Sequence, residues 1–505
     1  VSEASSYRQI LRSSSIIGGA SVIYVLIGLL RSKVAALLLG PAGLGLIGLF
    51  TNLVATAANL AGLGFGSVGT RQVAQAVATD DGARITLVRR ALFWGTLALA
   101  MLGAGAFWAL RRPLAVRVLE DRTLITDVGW LALAVALSIA AASQNALLNG
   151  LRRIGDIARV TIGSAVVYAV VGIGALWAWG RAGVVVYVIA APLASFLLGH
   201  WYVSRLPREV GGTLRFGELA REWKTLASLG MAFMVAGLAG TAGQLAVNLL
   251  VQRKFGVEGL GHFQAAWAIS MTYIGFVLSA MGTDYYPRLA AVIDDHAAVN
   301  RLVNEQAEVA LLLAAPVMLA MLGLAPWVIE LLYSRQFGEA VPILRWQVLG
   351  DVLKVASWPL GYILVASGAG KTFMLTEWVA MTVLAGLTWM LLPLVGLVAT
   401  GLSFFAMYGV LLTIVFGLAR RKTGFSFLLP VRWLLAGLVL AAAAVMALAS
   451  VSDVAGAIAG VVGAIAFGIF AIVRLAHAGD VSGPVGRLAA MVRHRLLRLS
   501  VWRGK

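Results

Sequence analysis

The chain of 505 residues contains no cysteine. That absence removes a disulfide framework, a thiolate metal site and a catalytic thiol from consideration, and it leaves the redox compartment unreadable. Charge is almost as scarce, with 12% of residues charged against about a quarter in soluble domains. The five histidines (His200, His262, His296, His477, His494) show no HExxH or other ligand spacing, so a metalloenzyme is rejected and no cofactor is expected. No DxD, GxSxG or P-loop pattern occurs in a suitable context. No outer connection exceeds about 20 residues, too short for the catalytic loop of a membrane glycan polymerase or ligase. An enzyme is not expected.

What is present is apolar. Hydrophobic residues make up 60% of the chain and mean hydropathy is +0.91, a balance that belongs to a bilayer protein. Crossing the hydrocarbon takes about 20 apolar residues. Fourteen such runs are placed at 15–39, 44–68, 90–110, 128–149, 159–179, 183–204, 227–251, 262–283, 308–332, 342–366, 373–393, 397–418, 430–449 and 454–475. The polar, basic opening VSEASSYRQILRSSS precedes a run of full span length, so the first helix itself is expected to direct insertion without a cleavable signal.

A net charge of +18 suggests nucleic acid in a soluble protein, but here the basic residues sit in loops between spans, and no nucleic-acid partner is expected. An even span count puts both termini on one side. With both inside, the cytoplasmic segments hold 28 Lys and Arg and the outer loops 8, edge residues being counted with the loop they adjoin. The rule that basic residues stay in the cytoplasm therefore orients the chain, despite the outer cluster Arg111, Arg112, Arg117 and Arg122. The longest polar connection divides the spans. It suggests a six-helix lobe at 1–204, a cytoplasmic linker at 205–226, a second six-helix lobe at 227–419, an extra transmembrane pair at 420–476 and a basic amphipathic tail at 477–505. The tail either lies on anionic membrane lipid or frays.

A repeat supports the two lobes. Gly40-Pro-Ala-Gly43-Leu-Gly45 returns as Gly256-Val-Glu-Gly259-Leu-Gly261, a shift of 216. The same shift carries Gly66-Ser67 onto Gly282-Thr283, and a shift of 218 carries Asn149-Gly150 onto Ser367-Gly368. Duplicated six-helix bundles imply a cavity between lobes that opens to either side in turn. Most of these glycines are read as turn and helix-contact residues.

Several segments also resemble a known family. GPAGLGLIGLF (40–50), YYPRL (285–289), LYSRQF (332–337) and LRWQVLGDVLKVASWPLGYILVASGAGKTFMLTE (344–377) are similar to the Wzx-type oligosaccharide flippases of the multidrug/oligosaccharidyl-lipid/polysaccharide (MOP) exporter superfamily, in particular the O-antigen and enterobacterial-common-antigen branch. The resemblance covers residues 7–420. It implies an all-α, MATE-like fold of two pseudo-symmetric bundles in the bacterial inner membrane. It further implies alternating-access transfer of an undecaprenyl-diphosphate-linked oligosaccharide, driven by an ion gradient or potential and not by ATP, with a glycan polymerase or chain-length complex as a partner. The usual members have twelve spans, so the extra pair departs from the pattern and resembles the fourteen-span lipid II flippases.

Ionisable residues within spans are the default functional candidates, because burying them in lipid is costly. They are Arg31, Lys33, Asp284, Arg345, Asp351, Lys354 and Glu377. The cations suit a diphosphate, so Arg31, Lys33, Arg345 and Lys354 are candidate substrate ligands, while Asp284, Asp351 and Glu377 are candidates for coupling or gating. Arg31 and Lys33 project about 200° apart on a helix. Arg345 is open to a membrane-interface role, Asp284 to pairing with Arg288, and Asp351 with Lys354 to a purely local ion pair. Polar stripes add Thr241, Gln244, Asn248 and Gln252 in the seventh span, Asn52, Thr56 and Asn59 in the second, and Ser138, Asn145 and Asn149 in the fourth, with Gln347 beside Asp351. The stripes of the second and fourth spans offer hydrogen bonds to sugar hydroxyls or simply bond helix to helix, while Gln244, Asn248 and Gln347 are candidate substrate ligands. Two rivals stay in view: a lipid II-type flippase, and a cation-coupled drug or metabolite antiporter, against which the excess of cations argues.

Overall fold

The computed structural model describes residues 3–79, 82–206 and 216–477. Within them the chain is helical apart from short connections, as lipid demands of a backbone whose polar groups find no water. Helix α1 runs Glu3–Ala61, α2 Phe65–Ala78, α3 Gly82–Ala109, and α4 is a single turn at Arg111–Pro113. Then come α5 Ile125–Gly150, α6 Ile154–Trp179, α7 Val184–Ser204, α8 Phe216–Ala291, α9 His296–Gly323 and the short α10 Ala325–Leu332. The remainder is α11 Ala340–Ala366, α12 Gly370–Val395, α13 Val398–Thr423, α14 Leu429–Val451 and α15 Asp453–His477. Among the described residues, eleven continuous helical stretches are long and apolar enough to cross a membrane. Three of them, Gly18–Ala61, Ile154–Ser204 and Gly217–Gly275, are 44, 51 and 59 residues long, enough for two crossings each, which agrees with the expected fourteen.

The two longest helices each contain one bend, and the bends fall on the repeat. Gly40 has φ 64° and ψ −167°, and Gly256, 216 residues later, has φ 68° and ψ −173°. Only glycine occupies that region without strain. The repeat extends well beyond the motif: α3, α5, α6 and α7 start 214, 215, 216 and 214 residues before α9, α11, α12 and α13. The third glycines of the two motifs meet: a Cβ on Gly45 would collide with the backbone of Val257 and Gly261, and one on Gly261 with Pro41 O. The duplicated motif is therefore a pair of bends packed on each other.

Contacts divide the chain into two compact units. The first comprises the chain through Gln264 together with Leu332–Phe337; the second comprises Ala265–Leu331 and the chain from Gly338 onward. In the first unit, a core of Phe65, Val68, Val88, Leu92, Leu148 and Leu226 forms where α2 packs on α3 and α5. The sequence places one span at 44–68, whereas helix α1 stops at Ala61. Leu63 and Gly64, both with positive φ, turn the chain into α2, whose Phe65, Val68, Gly69, Gln72, Val73 and Ala76 bury one face at helical spacing.

In the second unit the span placed at 308–332 is corrected to His296–Gly323, with residues 325–332 forming the separate α10. The first turns of α9 are too polar to read as membrane. Their polarity is used: Asn300 and Asn304 clamp the extended segment after α13. Asn300 Nδ2 donates to Thr423 O at 3.2 Å while its Oδ1 accepts from Ser426 N at 3.1 Å. Asn304 Nδ2 donates to Ser426 O at 3.0 Å and its Oδ1 accepts from Leu428 N at 2.7 Å. This clamp leads into α14 and α15, which pack on α9. Gly323 meets Gly456 and Gly460 at backbone contact, a close approach that small residues permit in a membrane.

Candidate functional site

In the first unit the intramembrane arginine has acquired an aromatic setting. Arg31, on the first half of α1, lies with its guanidinium carbon 3.8 Å from the ring centroid of Tyr168 on α6, a cation–π distance. Its Nε donates to Tyr187 OH on α7 at 3.0 Å, and the two tyrosine rings meet edge to face at 5.0 Å. The two contacts of Arg31 join residues far apart in the chain, and the sequence reading missed both tyrosines. The available signal was Tyr168 near the middle of an apolar span, away from the interfaces where Tyr usually sits; Tyr187, in the first turn of α7, carried no such signal. Lys33 is partly buried on the same helix.

The polar stripes of this unit are divided by the structure. Asn52 is 7% exposed and its Oδ1 has no hydrogen-bond partner, so it retains capacity for a ligand or a water. Asn59 packs against Gly237 where the second half of α1 crosses α8. Gln244 is partly buried. Asn145 and Asn149 are exposed and bonded to each other, Asn149 Nδ2 donating to Asn145 Oδ1 at 3.0 Å. Asn248, a candidate substrate ligand by sequence, is fully buried, and its Oδ1 accepts from Gln264 Nε2 at 3.0 Å. The bend at Gly256 lies between those two residues, so that bond braces the bend. Gln252 likewise donates to Leu119 O at 2.9 Å.

In the second unit the polar centre is Asp351 on α11. The carboxylate is fully buried, and Oδ2 accepts from Ser270 Oγ and from Tyr273 OH, each at 2.7 Å. Ser270 and Tyr273 are three apart on the second half of α8, hence on one helical face. Lys354 lies one turn from Asp351, with Nζ 4.0 Å from Oδ1. That separation exceeds a hydrogen bond. The ammonium instead reaches Met271 Sδ at 3.4 Å and sits 5.5 Å from the Tyr408 ring centroid. Lys354 and Glu377, on α12, line one cavity of about 450 Å³. Gln347 is fully buried, and neither its Oε1 nor its Nε2 has a partner.

Arg345 is engaged in helix packing: Nη2 pairs with Asp453 at 2.8 Å, and its other nitrogens approach Leu322 O and Ala449 O at 3.4 Å each. It ties α11 to the start of α15, and its spacing from Lys354 gave no hint of a partner 108 residues away. The Asp284 side chain lies outside the described residues, as does the basic tail from 478 onward.

A family profile described as "Polysaccharide biosynthesis protein" matches residues 34–342, more than half of the chain. The chain belongs to that family. Both glycine motifs, Arg345's neighbour Pro342 and most of α1 through α10 fall inside the match. This member of the polysaccharide biosynthesis family is 25% identical over 415 residues to the "Lipid III flippase" of Escherichia coli (strain K12), covering 78% of this chain and 95% of that protein. Its fold is similar to the solved structure of "Lipid II flippase MurJ, inward closed conformation", with a TM-score of 0.63 at 12% identity over 91% of this chain and 98% of that one. It is also similar to an inward-facing "multidrug resistance MATE family transporter of the MOP superfamily", with a TM-score of 0.60 at 14% identity over 80% of this chain and 94% of that one. The fold is thus similar to that of these two transporters, and the chain is a multi-pass membrane protein.

Proposed function

We propose that this protein is a flippase of the bacterial inner membrane that moves an undecaprenyl-diphosphate-linked oligosaccharide from the cytoplasmic to the periplasmic leaflet, with both termini cytoplasmic. The observation that carries the reading is the correspondence with a lipid III flippase along 95% of that protein's length. The site chemistry supports it. A diphosphate headgroup needs a cation that survives in lipid, and Arg31 meets the requirement because the Tyr168 face and the Tyr187 hydroxyl stabilise its charge and hold it in one orientation. Arg31 and Lys33 take the diphosphate; Asn52, Asn59, Gln244, Asn145 and Asn149 supply hydrogen bonds to the glycan. Asp351, with its polar cluster, and Glu377 take part in coupling to an ion gradient or potential. On the outer side the glycan passes to a polymerase complex.

The test is translocation of a defined undecaprenyl-diphosphate oligosaccharide in proteoliposomes, with and without a proton or sodium gradient. The wild-type chain accelerates transfer, and Arg31→Ala slows it by about tenfold or more, the worth of a charge-assisted hydrogen bond, at an unchanged amount of inserted protein. Transfer no faster than in protein-free vesicles ends the proposal.

A further inference from the structure

The cavity of the second unit has a chemistry that diphosphate binding and coupling do not explain. Its volume of about 450 Å³ has room for a sugar ring with its substituents, within the range of small-molecule sites. Lys354 stands on the α11 wall and Glu377 on the α12 wall. Among the described residues the Glu377 carboxylate forms no hydrogen bond or ion pair, and Lys354 reaches only a thioether sulfur within hydrogen-bond distance. An ammonium and a carboxylate left apart in a partly buried space both have unmet hydrogen-bonding capacity, which is costly unless a ligand or water satisfies it. Aromatic side chains line the same cavity. Trp358 and Tyr362 on α11 meet at 4.7 Å, Tyr408 on α13 lies beyond, and the buried Tyr285 backs Trp358 at 5.9 Å. Aromatic walls with a few convergent polar groups suit a molecule that has one apolar face and a polar rim, as a pyranose has.

The charges decide which pyranose. Asp351 lies 4.0 Å behind Lys354, so one ammonium faces two carboxylates. A diphosphate or a uronate entering here would meet that excess of negative charge, and like charges juxtaposed in a binding site cost several kcal/mol. A ring with hydroxyl or acetamido groups meets no such barrier.

We propose that this cavity is a saccharide subsite that holds one neutral ring of the transported glycan on Trp358 and Tyr408, its polar rim bridging Lys354 and Glu377. The proposal rests on the flippase reading and refines it: Lys354, a diphosphate candidate by sequence, and Glu377, assigned above to coupling, hold the sugar. The test is saturation-transfer NMR on the full chain in lipid nanodiscs, with methyl N-acetylglucosaminide, methyl glucoside and methyl glucuronide as probes. The neutral glycosides give a saturable signal, and the glucuronide binds about tenfold or more weakly. Trp358→Leu abolishes the signal and Trp358→Phe keeps it, which separates lost stacking from lost folding. Glu377→Gln narrows the gap between glucuronide and neutral probes, a change of selectivity that a merely structural role would not produce. No saturable signal from any probe, equal binding of glucuronide by the wild type, or indifference to both Trp358→Leu and Glu377→Gln overturns the proposal. Because no translocation is measured, its failure is distinct from failure of the flippase reading: vesicles that move glycolipid while no glycoside binds would leave transport standing without this subsite.

Discussion

Replacing Gly256 with Ala isolates the energetic role of the helix bend. A Cβ at Gly256 would have nothing within 4 Å, so the added methyl group fits and no packing is lost. What alanine cannot do cheaply is adopt φ 68° and ψ −173°. Holding a residue with a side chain in that glycine-only region costs about 1–3 kcal/mol. Relaxing into a regular helix offers no escape, because straightening the chain there would separate Asn248 from Gln264, bonded at 3.0 Å across the bend, and pull Gly261 from Pro41. Gly240 is the matched control. It too has open space where a methyl group would sit, and it lies in regular helix of the same α8, where Ala for Gly gains up to about 1 kcal/mol. The two single substitutions, equal in chemistry, should therefore differ by about 1–4 kcal/mol, with Gly256→Ala the less stable. Reversible unfolding in mixed micelles, followed by tryptophan fluorescence as SDS is raised, measures both. If Gly256→Ala unfolds at the same SDS fraction as Gly240→Ala, the bend is not enforced by the conformation of that residue and the reasoning fails.

Two further outcomes test assignments made above. Arg345→Ala should lower stability in the same assay and leave translocation per folded molecule unchanged, since its partners are Asp453 and two carbonyls; normal stability with lost transport would return Arg345 to the substrate path. Asn304→Ala should cost about 1–3 kcal/mol by leaving Ser426 O and Leu428 N unpaired, and should speed proteolysis between α13 and α14, whereas a rate equal to that of wild type would show the clamp to be idle.

Much of this protein is legible in one dimension. A bilayer imposes a length and an apolarity on every crossing, so hydropathy places the spans, and a bend that only glycine tolerates marks the repeat at Gly40 and Gly256. The misplaced boundaries are where another force took over. At α2 an amphipathic face packed on α3 and α5 turned the chain out of the span, and at the start of α9 two asparagines traded hydropathy for hydrogen bonds to the 423–428 segment. The ionisable residues inside spans were visible as well, because each is an expensive exception. Their partners were not. Helical arithmetic tells which residues share a face, but it does not tell which helix lies opposite, and Arg31 meets Tyr187 from 156 positions away while Arg345 meets Asp453 from 108. Whether a buried charge serves a ligand or a neighbouring helix depends on distances between segments remote in sequence, and only the packed helices set those distances.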